Sequence, residues 1–524
     1  PMPLKDMREL LPDPIVAEQA LRERLSRITD PELRRDFAKT IELTLKHLAE
    51  VARPRKVYLS LADCIRRALA NNFAIRVEGY NPAIDTTRIV EAEALFDPQV
   101  FFNYTEHRQD RPSAAPELTG TRLNTRSLEL GVRKLLPTGM QVETRYSFLR
   151  TDTNLAFQAI NPSYTNNFII ELRQPLLRGF GLDFNRSRIN IARNNRQISM
   201  ERFSREVQDR LVEVERRYWE LVQARQEVSI VAELLAQSEQ MLETVSKRTI
   251  LDTIPGLVPQ TAARVAGRKA EFVRVKARLR DAEDRLKNIL NDPALSLSDD
   301  VEIVPTDSPS VEPLVVDTLQ EIQTALEHRT ELKEADLQVK NAHIAVGVAR
   351  NQALPRFDVS FQVTYDGLGS NPDSAWDQLM GGDFIEYLVM LELEWPIGNR
   401  GARAALRRAR LQQSQAVMAL KRIIEDVILD VNLTTRQLQT SYDQIAPSIQ
   451  EAQASADHIR MLQLRKEAMD PNTLNLILNA QETLAAARRS LLQALVGYNI
   501  AIVNLERSKG TLLNYNNVVL ADSR

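Results

Sequence analysis

The side chains best suited to catalysis or metal binding are few, and their spacing assembles no reaction. His47, His107, His328, His343 and His458 are scattered along 524 residues. His343 and Asp336 share one expected helix but without the spacing of metal ligands. The single Cys64 excludes an intramolecular disulfide framework and a cysteine metal cluster, and its apolar helical surroundings mark a buried structural thiol. No phosphate loop, dinucleotide fingerprint, HExxH pair or GxSxG elbow is present. Gly179-Phe180-Gly181 lacks a third glycine and follows a strand pattern ended by Pro175, so it reads as a turn. The sequence therefore argues against an enzyme and implies neither cofactor nor metal.

Another set of charged residues does recur at a fixed spacing. Glu129, Arg133, Glu143, Arg145, Glu171 and Arg173 fall between Leu128, Leu130, Val132, Val142, Tyr146, Phe148, Phe168 and Ile170. Strict alternation places the charges on one face of a β-structure and the apolar residues on the other. The chemistry this offers is a wet, charged lining backed by an apolar wall.

Composition narrows the partners. Lys+Arg 68 against Asp+Glu 70 gives a net charge of -2 and no general attraction for nucleic acid. The basic run RGARAALRRAR fits a solvated or headgroup-facing helix start. No apolar run reaches the roughly 18–20 residues of a membrane helix, and no secretory signal is expected in this numbering. Barrel strands give a far weaker signal, so the membrane stays open.

The elements that must carry the alternating residues come in two similar sets. Residues 1–56 read as a peripheral arm. A first repeat over 57–295 opens with Ser60 and Asp63, a capping box. Its helix ends before Phe96-Asp97-Pro98. Strands follow over about 100–108, 127–136, 140–149 and 167–175, then a helix over about 184–250 without Pro or Gly. Thr253 to Pro259 breaks this helix, and another runs from about 260 to 291. After a linker at 296–320, a second repeat over 321–513 has strands at about 356–365 and 386–396. A helix over about 399–466, a break at Ala468 to Pro471 and a last helix complete it, and 514–524 form a tail. Phe357, Val359 and Phe361 give the fifth strand its apolar face. Leu69 and Leu326 stand at the same separation as Pro98 and Pro355, so the chain is internally duplicated.

A helix of roughly 65 residues is a rod of about 100 Å and must pack lengthwise against other rods. Its small and polar residues, with no sustained two-position heptad seam, favour a bundle or tube over a zipper. Isolated hairpins are marginal in water, whereas two-faced strands of about ten residues suit a membrane barrel. The connections 109–125, 151–165 and 367–385 are long and polar, and the turn at Pro137 to Gly139 is short, as in outer-membrane barrels.

Several stretches resemble the TolC-type outer-membrane efflux channel family: LSLADCIRRALANN, AEALFDPQVFFNYTEH, IELRQPLLRGF, LELEWPIGNRGARAAL, GLVPQTAARVAGRKAEF and DPNTLNLILNAQETLAAARRSLLQALVGYNIAIVNL. The resemblance implies a mostly α fold with a membrane β-barrel portion. Its duplicated helix-strand-strand-helix-helix unit would build a trimeric α-helical tunnel and a shared barrel with four to six strands per chain. It implies a passive exit duct for tripartite efflux or type I secretion, spanning the outer membrane with a large periplasmic extension. Its partners would be itself as a homotrimer, a periplasmic adaptor, an inner-membrane pump and outer-membrane lipid. Six strands per chain depart from the family's usual four, and would give eighteen in a trimer unless the 127–148 hairpin stays outside the wall. Matching the family's aperture motif puts Leu476 and Asn479, with Glu482 one turn on, where other members carry carboxylates. Adaptor contacts would fall at Pro255, Gly256, Leu257 and Val258 and at Asp470 and Pro471. A soluble helical scaffold with small β insertions is the alternative.

Overall fold

The computed structural model describes residues 55–114, 120–248, 257–298, 301–464 and 471–520. Almost all of the 1–56 arm, the end of the tail, and Pro255, Gly256 and Asp470 lie outside these residues. β1 (Arg55–Leu59) leads into α1 (Leu61–Asn71) and α2 (Phe73–Glu93), then β2 (Gln99–Asp110), β3 (Arg122–Leu135), β4 (Gln141–Thr153) and β5 (Ser163–Pro175). α3 (Ser187–Arg248) and α4 (Leu257–Leu290) complete the first repeat. The linker carries β6 (Val301–Pro305) and leads into α5 (Thr318–His328), and the second repeat continues through α6 (Thr330–Gln352), β7 (Arg356–Gly369), α7 (Pro372–Gly381) and β8 (Ile385–Glu394). It ends with α8 (Arg400–Asp443), α9 (Ile445–Leu464) and α10 (Pro471–Lys509).

The helix boundaries follow local chemistry. The Ser60 hydroxyl accepts from the Asp63 amide at 3.1 Å, and the Ser60 amide donates to Asp63 Oδ2 at 3.3 Å. The helix expected to run unbroken to Phe96 is interrupted at Asn72. The Asn72 side chain caps α2 at the Ile75 amide and donates to the Ile289 carbonyl. α3 is 62 residues long, about 93 Å at 1.5 Å per residue. Its start is cleaner than expected, with a separate helical turn at Leu182–Asn185 before the rod begins. The corresponding rod of the second repeat divides at Gln444. Pro447 lacks an amide for the Asp443 carbonyl and is tolerated only because it lies in the first turn of α9.

α3 is the axis of the helical part, contacting α2, α4, α6 and α10 along its length. Its middle packs Val214, Tyr218 and Leu221 against Leu59, Cys64, Leu286 and Ile303. That core includes the parallel β1–β6 pair, so the 296–320 segment contributes a strand to the body of the molecule. Burial pushes the Cys64 thiol up to about 12, consistent with a packing role.

The remaining six strands form one antiparallel sheet in the order β2-β3-β4-β5-β7-β8. The β3–β4 hairpin is therefore an interior part of the sheet. Gly139, at φ 94°, closes its turn, and a Cβ there would collide with the Gly179 carbonyl oxygen. The third long connection is also more ordered than expected, because β7 reaches Gly369 and α7 follows it.

Two buried carboxyls in the helical body give a pH signature. Burial raises Glu215 to about 7, partly offset by the hydrogen bond from Asn516 at 2.8 Å. Glu283 is likewise raised to about 7 by burial, and its Oε1 has no hydrogen-bond partner. The native state therefore holds more protons than the unfolded chain between their ordinary range near 4.5 and about 7. Stability should fall as pH rises through that window, by ~2–4 kcal/mol for each group. In urea unfolding at several pH values, Glu215→Gln/Glu283→Gln should flatten this slope.

Candidate functional site

The register of the sheet converts alternation into two continuous faces. Phe102, Leu130, Tyr146, Phe168, Tyr365 and Ile385 stand side by side across all six strands. The neighbouring rows bring in Leu128 and Phe148 on one side, and Val132, Ile170, Phe361, Val359 and Phe357 on the other. Every residue assigned to an apolar wall from sequence thus lies on the same face. From Phe357 to the Phe148 row is five two-residue steps, about 34 Å along the strands. At the tilt of barrel strands that corresponds to about 25 Å of height, the thickness of an apolar membrane band.

The opposite face is charged. Glu129, Arg133, Glu143, Arg145, Glu171 and Arg173 all point there, as their register requires. At the end nearest the helices these side chains join into a ladder across β5, β7 and β8. The Arg173 guanidinium donates to Asp358 at 2.8 Å and to Glu392 at 2.9 Å. Arg356 contacts Asp358 at 2.9 Å and Glu392 at 3.4 Å. Asp358 is only 5 % exposed, so its charge is accommodated by the two guanidiniums it receives.

The other candidate lies at the far end of the helical body. Leu476, Asn479 and Glu482 share one exposed side of α10, while Ile477, Leu478 and Leu484 turn inward against Met241, Val245, Ile459 and Leu462. Leu476 is 51 % exposed, so it is not an ordinary packing residue within this chain. Arg264 of α4 donates to Asn479 Oδ1 at 2.8 Å. Behind it, the buried Arg268 donates to the Ser238 hydroxyl and, at 3.2 Å, to the Leu478 carbonyl. Burial lowers the Arg268 pKa, with Arg264 acting in the same direction and Glu482 and Glu271 opposing it. At the adjacent tips, Leu257 and Pro471 begin α4 and α10, and Val258 packs partly against the Ile477 cluster.

Residues 322–511 match the outer membrane efflux protein family. The matched stretch lies within the second repeat and contains β7, α7, β8 and the Leu476–Asn479–Glu482 side of α10. No curated protein matches the chain significantly in sequence. The outer-membrane channel OprN is similar in structure at a TM-score of 0.64 and 16% identity, over 86% of this chain and 90% of that one. The open-state MtrE outer membrane channel of Neisseria gonorrhoeae is similar at 0.61 and 17%, over 86% and 89%. The outer membrane protein VceC of Vibrio cholerae is similar at 0.61 and 16%, over 86% and 96%. These likenesses establish a shared fold, mostly helical with an antiparallel sheet.

Three features of the structure were not expected from the sequence. The Arg173–Asp358 pair joins residues from different repeats, and no local spacing announces it. Arg264 and Asn479 are likewise brought together only by the packing of α4 against α10. α7 had weak signals, with Asn371 as cap, Pro372 in the first turn and Gly382 at the end, in a stretch whose composition otherwise suits a loop. Among the described residues, no group of three or more His, Cys, Asp or Glu side chains could hold a metal.

If Asn479 lines a pore, Asn479→Asp should shift its current toward cations, and by more when combined with Arg264→Gln, because the guanidinium otherwise neutralises the new carboxylate. Unchanged ion selectivity in both variants would remove position 479 from the conduction path.

Proposed function

We propose that the protein is the outer-membrane exit duct of a tripartite efflux or type I secretion system. It is a passive channel without catalysis of its own, embedded in the outer membrane and extending through the periplasm. The observation that carries this reading is the six-stranded sheet, with an apolar face about one membrane thick and a charged face, joined to a helical body whose longest rod, α3, is about 90 Å long. The fold shared with OprN, MtrE and VceC supports it, as does the efflux protein domain.

A sheet in lipid cannot leave backbone groups unpaired, and β2 and β8 are open edges with side chains exposed on both faces. Copies of the chain therefore join β2 of one to β8 of the next. Three copies make an eighteen-stranded barrel with the charged faces lining a wet lumen. The Leu476, Asn479 and Glu482 side of α10 forms the periplasmic aperture. Its constriction is apolar and hydrogen-bonding at Leu476 and Asn479. The helical tips around 255–258 and 470–471 dock the adaptor, and an inner-membrane pump supplies the energy.

The test is location and conductance together. The full-length protein should fractionate with outer membranes, require detergent for extraction and give discrete pore currents in planar bilayers. A water-soluble monomer without current would favour the scaffold reading.

A further inference from the structure

The linker between the two repeats leaves an apolar row exposed beside the end of β1. After β6 the chain has no regular structure until α5, and side chains of α10 strap it down. The Ser310 amide donates to Asn499 Oδ1 at 3.1 Å and the Leu314 amide to the Tyr498 hydroxyl at 3.1 Å. That hydroxyl in turn donates to the Glu312 carbonyl at 2.6 Å. Val316 turns inward and packs partly against the cluster around Tyr498. Its neighbours turn out. Val315 is 97 % exposed, Val311 55 % and Leu319, at the start of α5, 72 %. A contiguous apolar row on a backbone fixed by hydrogen bonds marks a contact surface.

The chain before β1 supplies an occupant of the right pattern and reach. Leu33, Phe37, Ile41, Leu45 and Leu48 recur at the spacing of one helix face, and Arg35, Lys39 and Lys46 fall opposite. This segment enters at Arg55, which pairs with Val301 at one end of the β1–β6 ladder. The strap starts at the other end, where the Thr306 amide donates to the Leu59 carbonyl at 3.1 Å. Along that path Val311 lies at most about 35 Å from Arg55, and Val315 at most about 48 Å. Extended chain from Arg55 back to Leu48, followed by a helix to Leu33, covers about 23 to 45 Å from the same point. So short a tether holds the segment at about millimolar local concentration, which favours it over a second copy or a free protein.

We propose that residues 33–48 dock on the linker strap of their own chain, laying the Leu33–Leu48 stripe over Val311, Val315 and Leu319. Burial of both apolar rows drives the contact. The arm then clasps the crossing between the repeats from outside, as Tyr498 and Asn499 hold it from inside. The clasp is independent of how the sheet meets lipid.

Thiol reactivity in the full-length protein tests the contact, because the native Cys64 is buried. Val315→Cys should react with a maleimide about tenfold more slowly than Val315→Cys combined with Phe37→Asp/Ile41→Asp, which spoils the stripe and leaves the strap intact. Under mild oxidation, Ile41→Cys/Val315→Cys or Leu45→Cys/Val315→Cys should lose both introduced thiols while running as a monomer on a non-reducing denaturing gel. Fast labelling of Val315→Cys whatever the arm carries, or no disulfide in either pair, would overturn the clasp. Slow labelling that Phe37→Asp/Ile41→Asp leaves unchanged would assign the cover to another protein. A disulfide-linked dimer would assign it to the arm of a second copy. Either of these last results also overturns the proposal.

Discussion

A β-sheet inserted in hydrocarbon has no water to satisfy its backbone, so it must close. The rest of this molecule is arranged around that constraint. Within one chain, six strands satisfy one another but leave β2 and β8 open. An open sheet with one apolar face would be an aggregation hazard in water. The same sheet is stable in a membrane once further copies pair its edges. In the assembly proposed above, closure would fix which face looks inward, and the charged ladder of Arg173, Asp358, Arg356 and Glu392 would lie on that face near the junction with the helices.

The helical body solves a different problem. Its rods are too long to be buried in one core, so they pack lengthwise in pairs around α3. Two devices hold the body together at separated levels. The β1–β6 pair locks the two repeats at mid-height, with Tyr218 donating to Asp307 at 2.9 Å. At the far end, Arg268 ties Ser238 of α3 to the Leu478 carbonyl of α10. The exposed side of α10 is thereby presented by a buried cation, Arg268, and Asn479 is held by a second, partly exposed arginine, Arg264. The electrostatics of this end depend on arginines as well as on the side chains facing outward.

Much of this was legible in the sequence. Two-residue alternation specified the apolar face of β3, β4, β5 and β7, because a slip of one residue would turn the whole strand over, whereas β8 also has apolar residues on its charged face. The absence of Pro and Gly marked α3, and Ser60 with Asp63 marked the start of α1. What escaped was non-local or short. β1 and β6 are five residues each and take their meaning from pairing across the duplication. α7 looked like a polar connection because its seat is made by glycines in the preceding strand. The rod expected unbroken over about 399–466 divides at Gln444, three residues before Pro447. Leu476, Asn479 and Glu482 were proposed for an aperture through family resemblance alone, and Arg264 and Arg268 behind them had no sequence signal at all.

The most direct test of the account is a density map of the assembled protein in a lipid bilayer, read at the level of the strands. A closed wall of eighteen strands is expected, with β2 of each protomer against β8 of the next and the β3–β4 hairpin inside the wall. A twelve-stranded wall with that hairpin folded away, or a sheet that remains open with its apolar face covered by protein, would contradict it.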